Sequence, residues 1–299
     1  MGEFVIHDGV VKSYEGPGGD VIVPAGATTI AGGFFLCRNM KTLVLPETVT
    51  VIEPAAFYVC ENLTKITLPK SLQTIGKTAF VGCKNLSAIT IPGGVKEIES
   101  RCFVNCGLES VVLEDGVQRI GDGAFMNCRQ LRDVTIPASV KSIGYRAFFG
   151  CAIQNIRLSP RTTGFGSDVF EECDELQILQ APGVSPEKLQ KQGLMIPAAM
   201  GYLCDPGYFA HSKHLAEYDK YIVSRKKHLV ARLVKDDRVE GIQTYAQLGK
   251  ITPANFENDF LQPALGAGAT LCVAFLINWK NQHISPEVAA KQRNRDWKL

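Results

Sequence analysis

The chain has 299 residues, 45% of them hydrophobic and 21% charged, with a formal net charge of +2. That balance is ordinary for a globular chain and gives no strong field towards nucleic acid or a membrane surface. The length suggests two domains, and the parts differ in sign: residues 1–182 hold 16 Lys and Arg against 19 Asp and Glu, and residues 183–299 hold 16 against 11.

The opening run Met1-Gly2-Glu3-Phe4-Val5-Ile6-His7-Asp8 has no basic stretch followed by an apolar one, so it is not read as a secretory signal. Ile6 also breaks the myristoylation pattern. The longest apolar window, 264–277, is too short to span a bilayer. Residues 4–33 read as an incomplete first unit. Phe4-Val5-Ile6 and Gly9-Val10-Val11 form a short strand pair around His7-Asp8, and Gly16-Pro17-Gly18-Gly19-Asp20 is a turn. Val21-Ile22-Val23-Pro24 and Thr29-Ile30-Ala31-Gly32 then begin the pattern that fills the next 150 residues. This stretch is expected to cap the N-terminal end of a repeat array.

The pattern is F-x-x-C-x-x-L-x-x-I-x-[IL]-P-x-x-[LV]-x-x-I-G-x-x-A-F. Its Phe falls at Phe34, Phe57, Phe80, Phe103, Phe125, Phe148 and Phe170. Its Cys falls at Cys37, Cys60, Cys83, Cys106, Cys128, Cys151 and Cys173, always 22 or 23 residues apart. A fixed period of this size marks a solenoid, in which each unit buries its apolar side against its neighbours. The run resembles the leucine-rich repeat, and more closely its BspA-like subtype, over residues 4–182. The resemblance implies a curved, right-handed, β-rich solenoid that presents a binding surface. It does not imply a ligand.

Within each repeat, alternate strand residues face opposite ways. With Leu63, Ile66 and Leu68 inward, Lys65 and Thr67 point out. The equivalent outward pairs are Thr42/Val44, Ala88/Thr90, Ser110/Val112, Asp133/Thr135 and Asn155/Arg157. Lys65, Thr67, Thr90, Asp133, Thr135, Asn155 and Arg157 are the candidate partner-binding residues. The glycines at Gly76, Gly121, Gly144 and Gly166 suggest a turn that needs an unusual backbone angle, although Glu53 and Glu99 occupy the same position. The repeat cysteines read as a column of buried thiols beside the phenylalanines, because free Cys behaves as a small hydrophobe. A metal site needs ligands that converge, and a ladder spreads them along an axis. Buried free thiols without a signal segment favour the cytoplasm.

Residues 183–299 lose the period and read as all-α. Ser185 caps a helix that starts at Pro186. Residues 211–235 give one or two amphipathic helices and 238–248 another. Thr252-Pro253 starts a third, and 269–279 is the most apolar and is expected to be central. Ser285-Pro286 opens a last helix over 287–296. The order suggests stacked pairs in the ankyrin manner. Ile251-Thr252-Pro253-Ala254-Asn255 and Leu276-Ile277-Asn278-Trp279-Lys280 resemble the tail of bacterial leucine-rich repeat proteins that lack signal peptides.

Cys204, His211, His214 and His228 are the one grouping with metal-ligand chemistry, and their spacing matches no standard zinc site. His211 and His214 are the weak candidates, expected at i, i+3 on a helix. Arg225-Lys226-Lys227-His228 reads as the solvated face of a helix. No nucleophile elbow, phosphate loop, dinucleotide fingerprint or zincin motif is present. The expectation is therefore a two-domain α+β chain, a solenoid over 1–182 and a helical domain over 183–299. It is read as a non-enzymatic protein-interaction or scaffold module without cofactor, nucleic acid or membrane. The alternatives are a surface adhesin for host protein or glycan, should the natural chain begin earlier, and a metal-binding or catalytic helical domain.

Overall fold

The computed structural model describes residues 3–32 and 39–284. Phe34, Cys37 and the helix expected over 287–296 lie outside those residues. The chain divides into two compact units, Met1–Gln177 and Ile178–Leu299.

The first unit opens on an antiparallel pair, β1 (Glu3–His7) with β2 (Val10–Glu15). Asp8 and Gly9 form the two-residue turn with φ of 49° and 74°, the double positive φ of a type I′ hairpin. Each later coil contributes a longer strand, a two-residue strand and a Phe-bearing turn. The longer strands are β3 (Gly19–Ile22), β5 (Met40–Val44), β7 (Lys65–Thr67), β9 (Ala88–Ile91), β11 (Ser110–Leu113), β13 (Asp133–Thr135) and β15 (Asn155–Arg157). The short ones are β4 (Thr29–Ile30), β6 (Val51–Ile52), β8 (Thr74–Ile75), β10 (Glu97–Ile98), β12 (Arg119–Ile120), β14 (Ser142–Ile143) and β16 (Gly164–Phe165). Parallel ladders run β3-β5-β7 and β9-β11-β13 on one side, and β4-β6-β8 and β10-β12-β14-β16 on another. Both ladders are interrupted at the same coil junction. The turn side stays bonded there, with Phe80 N–H donating to Cys102 O at 2.9 Å and Gly82 N–H to Val104 O at 2.9 Å.

The turn side explains the Phe and Cys columns. Successive turns tie Ala56 N–H to Glu53 O, Tyr58 N–H to Ala55 O and Cys60 N–H to Phe57 O. The intervening N–H groups of Ala55, Phe57 and Val59 then donate to Lys77, Ala79 and Val81 of the next coil. This demands positive φ two residues before and two after each Phe: Ala55/Val59, Thr78/Gly82, Arg101/Asn105, Gly123/Asn127, Arg146/Gly150 and Asp168/Glu172. The expectation that Gly76, Gly121, Gly144 and Gly166 supply the unusual angle is corrected, since none of them has positive φ. They permit close approach instead. A Cβ at Gly76 would lie 2.4 Å from Pro54 N, and one at Gly166 2.5 Å from Gly144 C.

Inside, the rings of Phe57, Phe80, Phe103, Phe125, Phe148 and Phe170 stack in one column, with centroids 5.0–5.6 Å apart. Each such pair adds about 0.5–1.5 kcal/mol beyond simple burial. The thiols fill the space beside them and donate backwards. Cys83 Sγ–H reaches Phe57 O at 3.3 Å, Cys106 reaches Phe80 O at 2.9 Å, Cys128 reaches Phe103 O at 3.0 Å and Cys151 reaches Phe125 O at 3.2 Å. A small apolar side chain with one weak donor suits this niche. Cys102, in the Ala position of its repeat, is fully buried.

The second unit holds strand β17 (Ile178–Gln180) and, among the described residues, seven α-helices: α1 (Pro186–Lys191), α2 (Met195–Cys204), α3 (Leu215–Ser224), α4 (Lys226–Lys235), α5 (Val239–Gln247), α6 (Gln262–Ala267) and α7 (Thr270–His283). Ser185 caps α1 as expected, accepting from Lys188 N–H. The central helix is α2, eight of whose ten residues are buried. Sequence reading missed it because Pro197 and Gly201 look like breakers. Pro197 sits in the first turn, where it costs no intrahelical bond, and a Cβ at Gly201 would lie 2.5 Å from Leu179 O of β17. The expectation that 269–279 is central is corrected: α7 buries only Cys272 and Leu276 and exposes Leu271 and Ile277. Nor does a helix start at Pro253. Asn255 Oδ1 accepts from Thr252 N–H to close a turn, and a π-helical segment begins at Phe256.

Candidate functional site

The outward strand row lies where the alternation puts it. Lys65 and Thr67 flank buried Ile66, and Asn155 and Arg157 flank buried Ile156. Parallel register aligns Thr42 with Lys65 and Val44 with Thr67. It also aligns Ala88, Ser110 and Asp133 in one file, and Thr90, Val112 and Thr135 in the next. At the usual inter-strand spacing, six coils give a face about 24 Å long.

The face is not flat. A depression of about 470 Å³ lies over β7, β9 and β11, at the junction where the ladders are interrupted. Ala88, Thr90, Ser110 and Val112 form its floor, with Lys65 and Lys70 at one side and Glu114 at the other. Thr67 and Thr90 lie inside it, whereas Asp133, Thr135, Asn155 and Arg157 lie further along the face. Lys70, Ser87 and Glu114 also line it and were not singled out by sequence reading. The available signal was Glu114 itself, which stands where most repeats carry Pro after the strand. Its carboxylate accepts from Gly93 N–H at 3.3 Å. The set offers hydroxyls, small apolar surface and separated charges, which suits recognition of a chain laid across the coils.

His211 and His214 are placed in the turns before α3 rather than on a helix, which corrects the expected i, i+3 helical pairing. His214 Nδ1 lies 3.2 Å from Glu217 Oε1. Among the described residues no group of three or more His, Cys, Asp or Glu converges as a metal site. The nine cysteines described are free. Burial pushes the Cys102, Cys106 and Cys151 thiols well above their ordinary value, Cys173 up to about 11 and Cys272 up to about 12. Such thiols are neutral and poor nucleophiles at neutral pH. Among the described residues no helix is long and apolar enough to cross a membrane.

A parallel solenoid of 22- or 23-residue coils, with stacked Phe and Cys columns and an exposed strand face, defines a leucine-rich repeat protein. The family model for the BspA type leucine rich repeat region matches in six copies, over residues 28–108 and 96–191. The chain belongs to that family. Among solved structures it is similar to a leucine rich cell surface protein from Faecalibacterium prausnitzii A2-165, at 31% identity and a TM-score of 0.54. That match covers 59% of this chain and 52% of the other, so the chain spans about half of that relative. It is also similar to the leucine rich repeat protein of T. pallidum, at 31% identity and a TM-score of 0.52, covering 56% of this chain and 82% of that one. No curated protein matches the chain.

Proposed function

We propose that the chain is a non-enzymatic protein-interaction module, with residues 1–182 presenting the binding face and residues 183–299 forming an ankyrin-like helical domain. The observation that carries this reading is the exposed Thr- and Ser-rich strand face with its depression of about 470 Å³. Lys65, Thr67, Thr90, Asp133, Thr135, Asn155 and Arg157 make the contacts. A stacked solenoid orders this surface before binding, so little further entropy is lost on association. The buried free thiols suit a reducing compartment and support a cytoplasmic protein.

A second reading has one observation in its favour, the likeness to a protein described as a leucine rich cell surface protein. In that case the same face meets a host protein or glycan outside the cell. The test places a photo-cross-linking residue at Thr90 or Thr135, with Arg129 as the control. Cross-linking of one identified protein from the strand positions alone supports the module, and equal yield from Arg129 refutes it. Fractionation of the host, probed with an antibody, separates the cytoplasmic protein from the surface one.

A further inference from the structure

The turn side carries a second depression, of about 590 Å³, that belongs to none of the strand-face residues. Two columns of the repeat line it, the residues three and two before each Phe. The outer column reads Lys77, Ser100, Asp122 and Tyr145, and the inner one Thr78, Arg101, Gly123 and Arg146. Backbone bonds hold them in register: Arg101 N–H donates to Asp122 O at 2.9 Å and Gly123 N–H to Tyr145 O at 2.8 Å.

Two arginines thus stand two coils apart with a glycine between them, and the glycine leaves the slot open. Arg146 is a fixed wall. Its guanidinium lies 5.1 Å from the Tyr145 ring centroid and 4.8 Å from that of Phe149, and Nη2 is 2.8 Å from Glu171 Oε2. Its Nε makes no hydrogen bond but lies 3.8 Å from Asp168 Oδ2, so two carboxylates neutralise Arg146 and the free positive charge of the slot comes from Lys77 and Arg101. Arg101 is exposed, and neither it nor Lys77 forms an ion pair among the described residues. One acid faces the slot, Asp122, with Oδ1 occupied by Tyr145 N–H at 2.9 Å. At the far wall the Tyr145 side chain is 42% exposed.

We propose that this groove binds an acidic peptide segment of a partner, separately from the strand face. A carboxylate sits between Lys77 and Arg101, where a planar guanidinium offers a two-pronged contact. Apolar side chains of the same segment lie against Met126 and the Tyr145 ring. Three coil steps from Lys77 to Arg146 span about 14 Å, the reach of about four or five extended residues.

The test uses the full chain and four probes: a labelled nine-residue peptide rich in Asp and Glu with one Leu, its Asn and Gln counterpart, a Lys-rich counterpart, and inorganic phosphate. The expected result is saturable binding of the acidic peptide, weakened about tenfold or more by Lys77→Glu with Arg101→Glu and weakened by salt. Lys65→Glu on the strand face leaves it unchanged. A Lys-rich peptide then binds the doubly reversed variant, an outcome that misfolding cannot produce. Equal binding of the neutral peptide, saturation by phosphate alone, or an acidic-peptide affinity unaffected by Lys77→Glu with Arg101→Glu overturns the proposal.

Discussion

The ring column makes a quantitative prediction about how stability is shared between coils. Phe80 and Phe103 are fully buried, 5.1 Å apart and within 7° of parallel. Replacing either by Leu keeps an apolar side chain of similar bulk, a change that alone costs about 1 kcal/mol. It also removes the stacked contacts on both sides of the ring, at about 0.5–1.5 kcal/mol each. Each single variant is therefore expected to lose about 2–4 kcal/mol. Phe80→Leu combined with Phe103→Leu removes their shared contact once, so the pair is coupled by about 0.5–1.5 kcal/mol. Phe80→Leu combined with Phe125→Leu involves rings two coils apart that do not touch, and the losses add to within about 0.5 kcal/mol. Urea unfolding followed by far-ultraviolet circular dichroism reads both cycles. Equal coupling in the two cycles, or none between adjacent rings, refutes the view that each coil is stabilised by its immediate neighbours.

Three further outcomes follow from the backbone and the thiols. Gly82→Ala places a Cβ at φ 76° in ordinary van der Waals contact with Val59, 3.4 Å from its Cγ2, and is expected to cost about 1 kcal/mol through the backbone angle, while Thr78→Gly at φ 57° is expected to relieve a similar strain; calorimetry gives both signs. Because burial raises the Cys173 thiol from 9.0 to about 11, its contribution to stability is complete below pH 9 and is lost as pH rises through 11. Cys173→Ala should flatten that alkaline decline, and native protein at pH 8 should leave the repeat thiols unreactive towards a disulfide reagent. Asp237 accepts from the Leu271 and Cys272 N–H groups and so caps α7 from a different loop, which holds its carboxyl below the ordinary 3.8. That stabilisation is present above pH 3.8 and disappears as pH falls through the lowered value, and Asp237→Ala should lower Tm at pH 7 and remove this acid dependence.

The solenoid was legible because a 22- or 23-residue period repeats the same local instructions in every coil. The inward and outward faces of β7 and β15 follow from alternation alone, and the file of Lys65, Thr67, Asn155 and Arg157 is exposed as alternation requires. The backbone angles were not legible. Val59, Thr78 and Arg101 are residues that ordinarily avoid positive φ, and they adopt it because the bonds to the next coil over-determine the turn. The helical part carries no repeating signal, so single cues misled. Pro197 and Gly201 hid α2, while the apolar run of α7 suggested burial that packing does not provide. On the strand face, position could be read from the pattern. The depression over β7, β9 and β11 could not, since it depends on how far adjacent coils separate.

The central claim is that the strand face recognises a protein. The direct measurement is the affinity of the cross-linked partner, purified, for the full chain and for the Lys65→Glu, Arg157→Glu variant, by titration calorimetry. The account predicts a loss of about tenfold or more at low salt with the fold intact by circular dichroism. Unchanged affinity in the charge-reversed chain contradicts it and moves recognition off this face.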